Sequence, residues 1–233
     1  MHDSKLMVFA VVLVAGLMAF NQFQINSISG HFTTSTGSSS SSLNLFSGSS
    51  DDINDVDVTK IGSTANAVQL LFPLKDAKSA DEVMQIMFPT GTPEYGADMG
   101  VSFDDPITSL SLLAGAYPAL KKEVKENHPD IWARYIKLAA APRGISCEFC
   151  CGVGAQGISE NGELRCGCSH SPAVQTVTMW LMLNRPEYSD AEVLREVMRW
   201  KTLFFPKNMI ELGLQVSGKS ASDLQLPGMV GGC

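Results

Sequence analysis

The sequence predicts a mainly α-helical domain with a small cysteine-rich β-hairpin, or knuckle, inserted in it. Three observations lead there. Ser79 with Glu82, and Ser189 with Glu192, have the spacing of helix capping boxes. Apolar residues recur at helical intervals between punctuating prolines. Five of the six cysteines fall in two groups, at 147–151 and 166–168, on either side of Asn161-Gly162. That dipeptide suits a type I′ hairpin turn, in which both central residues take positive φ.

The elements follow in order. A first helix is expected over 64–72 and ends at Pro73. The second opens at the Ser79 box, carries Val83, Ile86 and Met87, and stops at Pro89. Residues 89–105 are rich in Gly, Pro and acids and read as an ordered loop. Glu94, Asp98, Asp104 and Asp105 are turn residues here, because EF-hand spacing is absent. Helices are expected at 107–117, 119–127 and 131–141, separated by Pro118 and Pro129 and closed by Pro142. Ile131, Tyr135, Leu138 and Ala139 make a core stripe on the third, with Trp132 and Ile136 beside it. His128, just before a proline, reads as a helix-end residue. Past the cysteines, residues 172–184 have helical composition. The Ser189 box then opens a helix carrying Val193, Leu194, Val197, Met198, Trp200, Leu203 and Phe204. Pro206 breaks it, and a last short helix ends at Gly213. Trp180, Trp200, Phe204 and Phe205 read as core.

The chain has 233 residues, 45% hydrophobic and 18% charged, near globular averages. Residues 51–213 fit one domain, large enough to bury a core without cysteine staples. Residues 1–25 read as a signal anchor. The apolar run 6–20 reaches only ~22 Å as a helix, and Phe23 and Ile25 extend it toward a ~30 Å hydrocarbon core. Lys5 precedes the run and no Lys or Arg follows until Lys60, which keeps the head in the cytoplasm and exports the domain. A cleaved signal peptide and a secreted domain are the alternative. Residues 26–50 form a Ser/Thr/Gly-rich flexible linker and 214–233 a flexible tail. A net charge of −7, with Lys121, Lys122 and Lys125 interleaved with Glu123 and Glu126, excludes a nucleic-acid surface.

Thiolates and an imidazole gathered this closely can converge on one metal ion or cluster. The spacing Cys147-x2-Cys150-x15-Cys166-x-Cys168 is close to that of zinc ribbons, and these four are the first choice of ligands. Cys151 and His170 exceed one tetrahedral site and are additional candidates. Soft thiolates select zinc, copper(I) or an iron–sulfur cluster. His170 is a ligand, a neighbour that orients one, or a bystander at the mouth of the next helix, where Ser169 or Ser171 can cap. The alternative is a set of disulfides, since an exported domain meets oxidising conditions and the cysteine count is even. Thiol–disulfide exchange is a further reading, although no thioredoxin-like βαβ pattern surrounds the pairs. There is no Walker A loop, no G-x-G-x-x-G after a strand, no H-E-x-x-H and no G-x-S-x-G, so catalysis is not the first expectation.

Several stretches together resemble a group of uncharacterised, membrane-anchored, cysteine-rich proteins of archaeal type. They are Pro89-Thr-Gly-Thr-Pro-Glu-Tyr-Gly, Gly100-Val-Ser-Phe-Asp-Asp, Ser146-Cys-Glu-Phe-Cys-Cys-Gly, Cys166-Gly-Cys-Ser-His and Arg199-Trp-Lys-Thr-Leu-Phe-Phe-Pro-Lys. The likeness covers most of 81–207 and implies no activity. The functional expectation is an exported, membrane-tethered protein that binds zinc or copper(I) for handling or trafficking, with a protein partner for transfer. Two alternatives stand beside it: a redox protein, carrying an iron–sulfur cluster or exchanging disulfides, and a cell-surface interaction module with a structural zinc.

Overall fold

The structure, a computed structural model, describes residues 53–220 and 225–232. The expected anchor, linker and Cys233 lie outside the described residues. Among those described, the helices are α1 (Thr64–Leu71), α2 (Ala80–Met87), α3 (Gly96–Met99), α4 (Pro106–Asn127), α5 (Pro129–Ala139), α6 (Glu148–Cys151), α7 (His170–Asn184), α8 (Asp190–Phe204) and α9 (Pro206–Val216). A 3-10 turn at Val58–Lys60 precedes them. None of these helices is long and apolar enough to cross a membrane.

Side-chain caps set the starts. Ser63, Ser79 and Ser189 each accept a backbone N–H three residues on, at the heads of α1, α2 and α8. At α8 the box is reciprocal: the Glu192 carboxylate accepts from Ser189 N at 2.8 Å. At α2 the Glu82 carboxylate reaches Lys78 N instead. Asp105 caps α4, with Pro106 at its first position.

The centre of the fold is α7. Most of its residues are buried, as in a helix surrounded on all sides. Its longest contact is with α4, and α5 and α8 pack on its other faces. Against α8 lie α1 and α9, and α2 covers α9. Trp200, Phe204 and Phe205 are buried as expected, each contributing about 1.5–3 kcal/mol relative to exposure. Trp180 is only half-buried. Polar groups inside find partners. Gln175 accepts from Tyr135 Oη at 3.0 Å and donates to the Ile145 carbonyl at 2.8 Å. Tyr95 donates to Glu196 at 2.9 Å and accepts from Trp200 Nε1 at 2.8 Å, which fixes the 89–105 loop on α8.

Three expectations are corrected. Pro118 does not divide a helix in two: α4 runs unbroken through it. The proline lies on an exposed face, where water can satisfy the carbonyl it leaves unpaired. Gly213 does not end α9 but sits inside it, buried, because a Cβ there would lie 2.2 Å from Met87 Sδ and 3.0 Å from Val83 Cγ1. Its absence of side chain lets α9 approach α2. Finally, no β-hairpin forms around Asn161-Gly162. The segment makes one isolated antiparallel bridge, Ile158 with Leu164, and a turn closed by Gly162 N on Ser159 O at 2.9 Å. Only Gly162 takes positive φ, at 80°, so the type I′ turn is not formed. Trp132 packs against Gly162 so closely that a Cβ would lie 2.5 Å from its ring.

Candidate metal centre

Cys147 ends the segment that follows α5 and serves as N-cap residue of the single-turn helix α6. Gly152 closes α6 in the left-handed conformation, with φ 66° and ψ 19°. One helical turn places Cys151, rather than Cys150, back beside Cys147, because residues four apart share a face. Their sulfurs are 3.8 Å apart. The chain then loops through 153–165 and returns with Cys166 and Cys168. This loop is pinned by Gly144 N on Ala155 O at 2.9 Å and Gly157 N on Ala139 O at 3.1 Å. Cys168 Sγ lies 3.2 Å from Cys147 Sγ and 3.6 Å from Cys166 Sγ.

The four sulfurs of Cys147, Cys151, Cys166 and Cys168 therefore form one group, all within 4.8 Å of one another. A tetrahedral ion with metal–sulfur bonds of ~2.3 Å has sulfur–sulfur edges of ~3.8 Å. The group is able to bind a metal ion. In this structure Cys151 and Cys166 are joined as a disulfide, while Cys147 and Cys168 are free thiols. Of the expected ligands, Cys147, Cys166 and Cys168 are brought together and Cys151 completes the set. Cys150 is exposed and disulfide-bonded outside it. The ribbon-like spacing named Cys150 on the basis of a knuckle, and the helical turn substitutes its neighbour. Cys151 is the exposed member; Cys147 is fully buried, and Cys166 and Cys168 nearly so.

Cys147 and Cys168 divide one proton unequally. The hydrogen bond with Cys147 is the main cause that holds the Cys168 thiol down, to about 4. The backbone amides of Ser171 and His170 add to it. Ser169, at the N-cap of α7, makes no side-chain cap, and Cys168 stands one residue before it, near the positive end of the helix. The same hydrogen bond, with burial, pushes the Cys147 thiol up. The two sulfurs thus share one hydrogen bond, and the pair gives up its first proton more readily than an ordinary thiol.

His170 is fully buried but outside the four-sulfur group. Its Nε2 lies 2.8 Å from the Val230 carbonyl, which can only accept, so Nε2 carries the hydrogen. Nδ1 is buried without a hydrogen-bond partner. The ring rests against Phe204 and Phe205 at centroid distances of 5.5 and 4.8 Å. Val230 is held in turn, its N–H donating to the Phe204 carbonyl at 2.8 Å, while Lys207 N donates to Pro227 O at 3.1 Å. Part of the segment expected as a tail is thus a strap across the α8–α9 junction and over His170.

One component had no counterpart in the sequence reading. Lys201 on α8 is fully buried, and its Nζ donates to Glu148 Oε1 at 2.8 Å, Gly144 O at 2.9 Å and Thr64 Oγ1 at 3.1 Å. Thr64 also donates to Glu148. Burial pulls the Lys201 pKa down, opposed by the charge of Glu148 and then by its hydrogen bond. This network fixes α6, and with it Cys147 and Cys151, to α1 and α8. The signal was present: Lys201 stands four residues after Val197 and three before Phe204, inside an apolar stripe. A groove of about 520 Å³ lined by Met99, Leu113, Leu120, Glu123 and Trp180, among others, shares no residue with the sulfur group. No family model, no curated protein and no solved structure matches this chain.

Proposed function

We propose that this protein binds a single soft metal ion, zinc or copper(I), through the sulfurs of Cys147, Cys151, Cys166 and Cys168, and that it handles or transfers the ion rather than using it in catalysis. The observation that carries this reading is the four-sulfur group, compact enough for one ion and with one member, Cys151, open to solvent. Three buried sulfurs hold geometry while an exposed one gives an incoming ligand its point of attack. His170 sits beside the centre, tied through Nε2 to a backbone carbonyl, the support commonly given to imidazoles around metal sites. The compactness favours a mononuclear site over an iron–sulfur cluster, which must fit several iron and sulfide ions between its thiolates.

An exported, membrane-tethered protein remains the proposed setting. The apolar run 6–20 after Lys5 supports it, as do the disulfide-bonded cysteines, which suit an oxidising compartment. A protein partner that donates or accepts the ion is part of the same proposal.

The test is elemental analysis of the full-length protein, reduced and purified with zinc or copper(I). The expected result is one equivalent of metal, lost in the Cys147→Ser, Cys166→Ser double variant. A fully reduced, folded protein that retains no metal at micromolar concentration overturns the proposal.

A further inference from the structure

The four sulfurs are found with one pair bonded and the other pair free, and the bonded pair contains the one exposed cysteine of the group, Cys151. We infer that the centre is a redox-gated metal site, in which formation of the Cys151–Cys166 disulfide expels the ion and its reduction restores the site. This rests on the metal-binding reading above and adds what controls it. The same two sulfurs that the disulfide joins are half of the ligand set. An ion cannot bind all four and coexist with that bond. The remaining thiols, Cys147 and Cys168, do not scatter when the bond is present: they stay 3.2 Å apart, share a hydrogen bond, and keep half the site assembled.

Exposure sets the order of events. Cys151 is the only exposed residue of the group, so an oxidant meets it first. The oxidant we assign is a low-molecular-weight disulfide, RSSR. The Cys151 thiolate leaves the metal and attacks one sulfur of RSSR, forming a mixed disulfide and releasing one RS⁻. The Cys166 thiolate then attacks the Cys151 sulfur, forming the Cys151–Cys166 bond and releasing the second RS⁻. Two electrons pass from the two cysteines to RSSR. Three protons are taken up, two by the departing thiolates and one by the Cys147–Cys168 pair, whose sulfurs share a hydrogen bond. The divalent ion, left with two sulfurs, departs. Two equivalents of a small thiol reverse the sequence and reopen the site. Cys147 and Cys168, both buried, are spared although they are the closest free thiols.

The experiment uses the full-length protein, reduced and loaded with one equivalent of zinc. Glutathione disulfide is added, zinc release is followed with a chromogenic chelator, and disulfides are mapped by peptide mass spectrometry after alkylation. Zinc release in step with the Cys151–Cys166 crosslink, with Cys147 and Cys168 still alkylated, is the expected outcome, together with rebinding on reduction. The Cys151→Ser variant, altered at an exposed position and therefore expected to fold, should bind zinc more weakly and lose oxidant-triggered release by at least about tenfold in rate. Zinc that stays bound while Cys151–Cys166 forms sinks the inference, as does release accompanied first by a Cys147–Cys168 crosslink. Both of those results leave the metal site standing. A reduced protein that takes up no zinc removes the site itself, and the gate with it.

Discussion

Replacing Lys201 by methionine keeps the length of the side chain and deletes its three hydrogen bonds. The Gly144 carbonyl, buried, loses a charged donor, and leaving such a group unsatisfied costs about 1–3 kcal/mol. Glu148 loses its counter-ion. Breaking a wholly buried pair typically costs about 3–5 kcal/mol, but the Glu148 side chain is 17% exposed and keeps the Thr64 hydroxyl, so its share is smaller. The two together give about 3 kcal/mol of lost stability. Urea unfolding of the reduced, metal-free protein, followed by circular dichroism, measures it. The paired variant Lys201→Met, Glu148→Gln removes the stranded carboxylate and should recover about 1 kcal/mol. Zinc affinity should fall about tenfold in the single variant, since α6 loses the anchor that holds Cys147 and Cys151 in place. A cost under about 1 kcal/mol, or a double variant no more stable than the single, would refute the claim that the ammonium neutralises Glu148 and fixes α6.

Other substitutions separate the centre from its surroundings. Cys150→Ser should leave zinc stoichiometry intact and lower the thermal midpoint through loss of its disulfide, whereas Cys151→Ser should weaken zinc binding by about 100-fold. The latter figure follows from ~10–16 kcal/mol shared among four ligands, and competition with a chromogenic chelator reads it. Gly213→Ala forces a methyl against Met87 and should cost about 1–3 kcal/mol in urea unfolding, toward the low end because the Met87 side chain can turn away. In the disulfide form, one of the two free thiols should be a thiolate at neutral pH, seen by ultraviolet absorbance and lost as pH falls through about 4. Because the folded Cys168 value is depressed, its stabilising contribution is complete above the unfolded thiol range and vanishes as pH drops through that same folded value. Cys168→Ser should abolish the titration.

Local signals in the sequence carried most of the fold. Ser63, Ser79 and Ser189 act within three residues of themselves, so their caps are visible in any window that contains them. Pro118 and Gly213 misled for a common reason: each was read by its backbone preference, and each is governed by what lies across from it. An exposed face tolerates the proline, and the nearby side chain of Met87 demands the glycine. The sulfur site was legible as a cluster but not as a ligand set. Choosing between Cys150 and Cys151 depends on whether 148–151 winds into a helical turn, and a four-residue segment has no periodicity to show it. The Lys201 network joins residues 53 to 137 positions apart, and no local pattern pairs them. His170 was singled out for its neighbours Cys166 and Cys168, while its hold on Val230 was not foreseeable from composition.

The bond from His170 to Val230 also orders the protein's assembly in time. His170 is synthesised 60 residues before the carbonyl that will hold it. At about 5–20 residues per second, all four cluster cysteines are synthesised at least about 3–12 s before Val230. Lys201, which anchors α6, is likewise still to come when Cys168 emerges. During that interval the thiols are as accessible to wrong partners as to the right one, and Cys150 beside Cys151 offers an immediate mispairing. Whatever reaches the nascent cysteines first, ion or oxidant, decides which of the two sulfur arrangements is in place when the strap settles over His170.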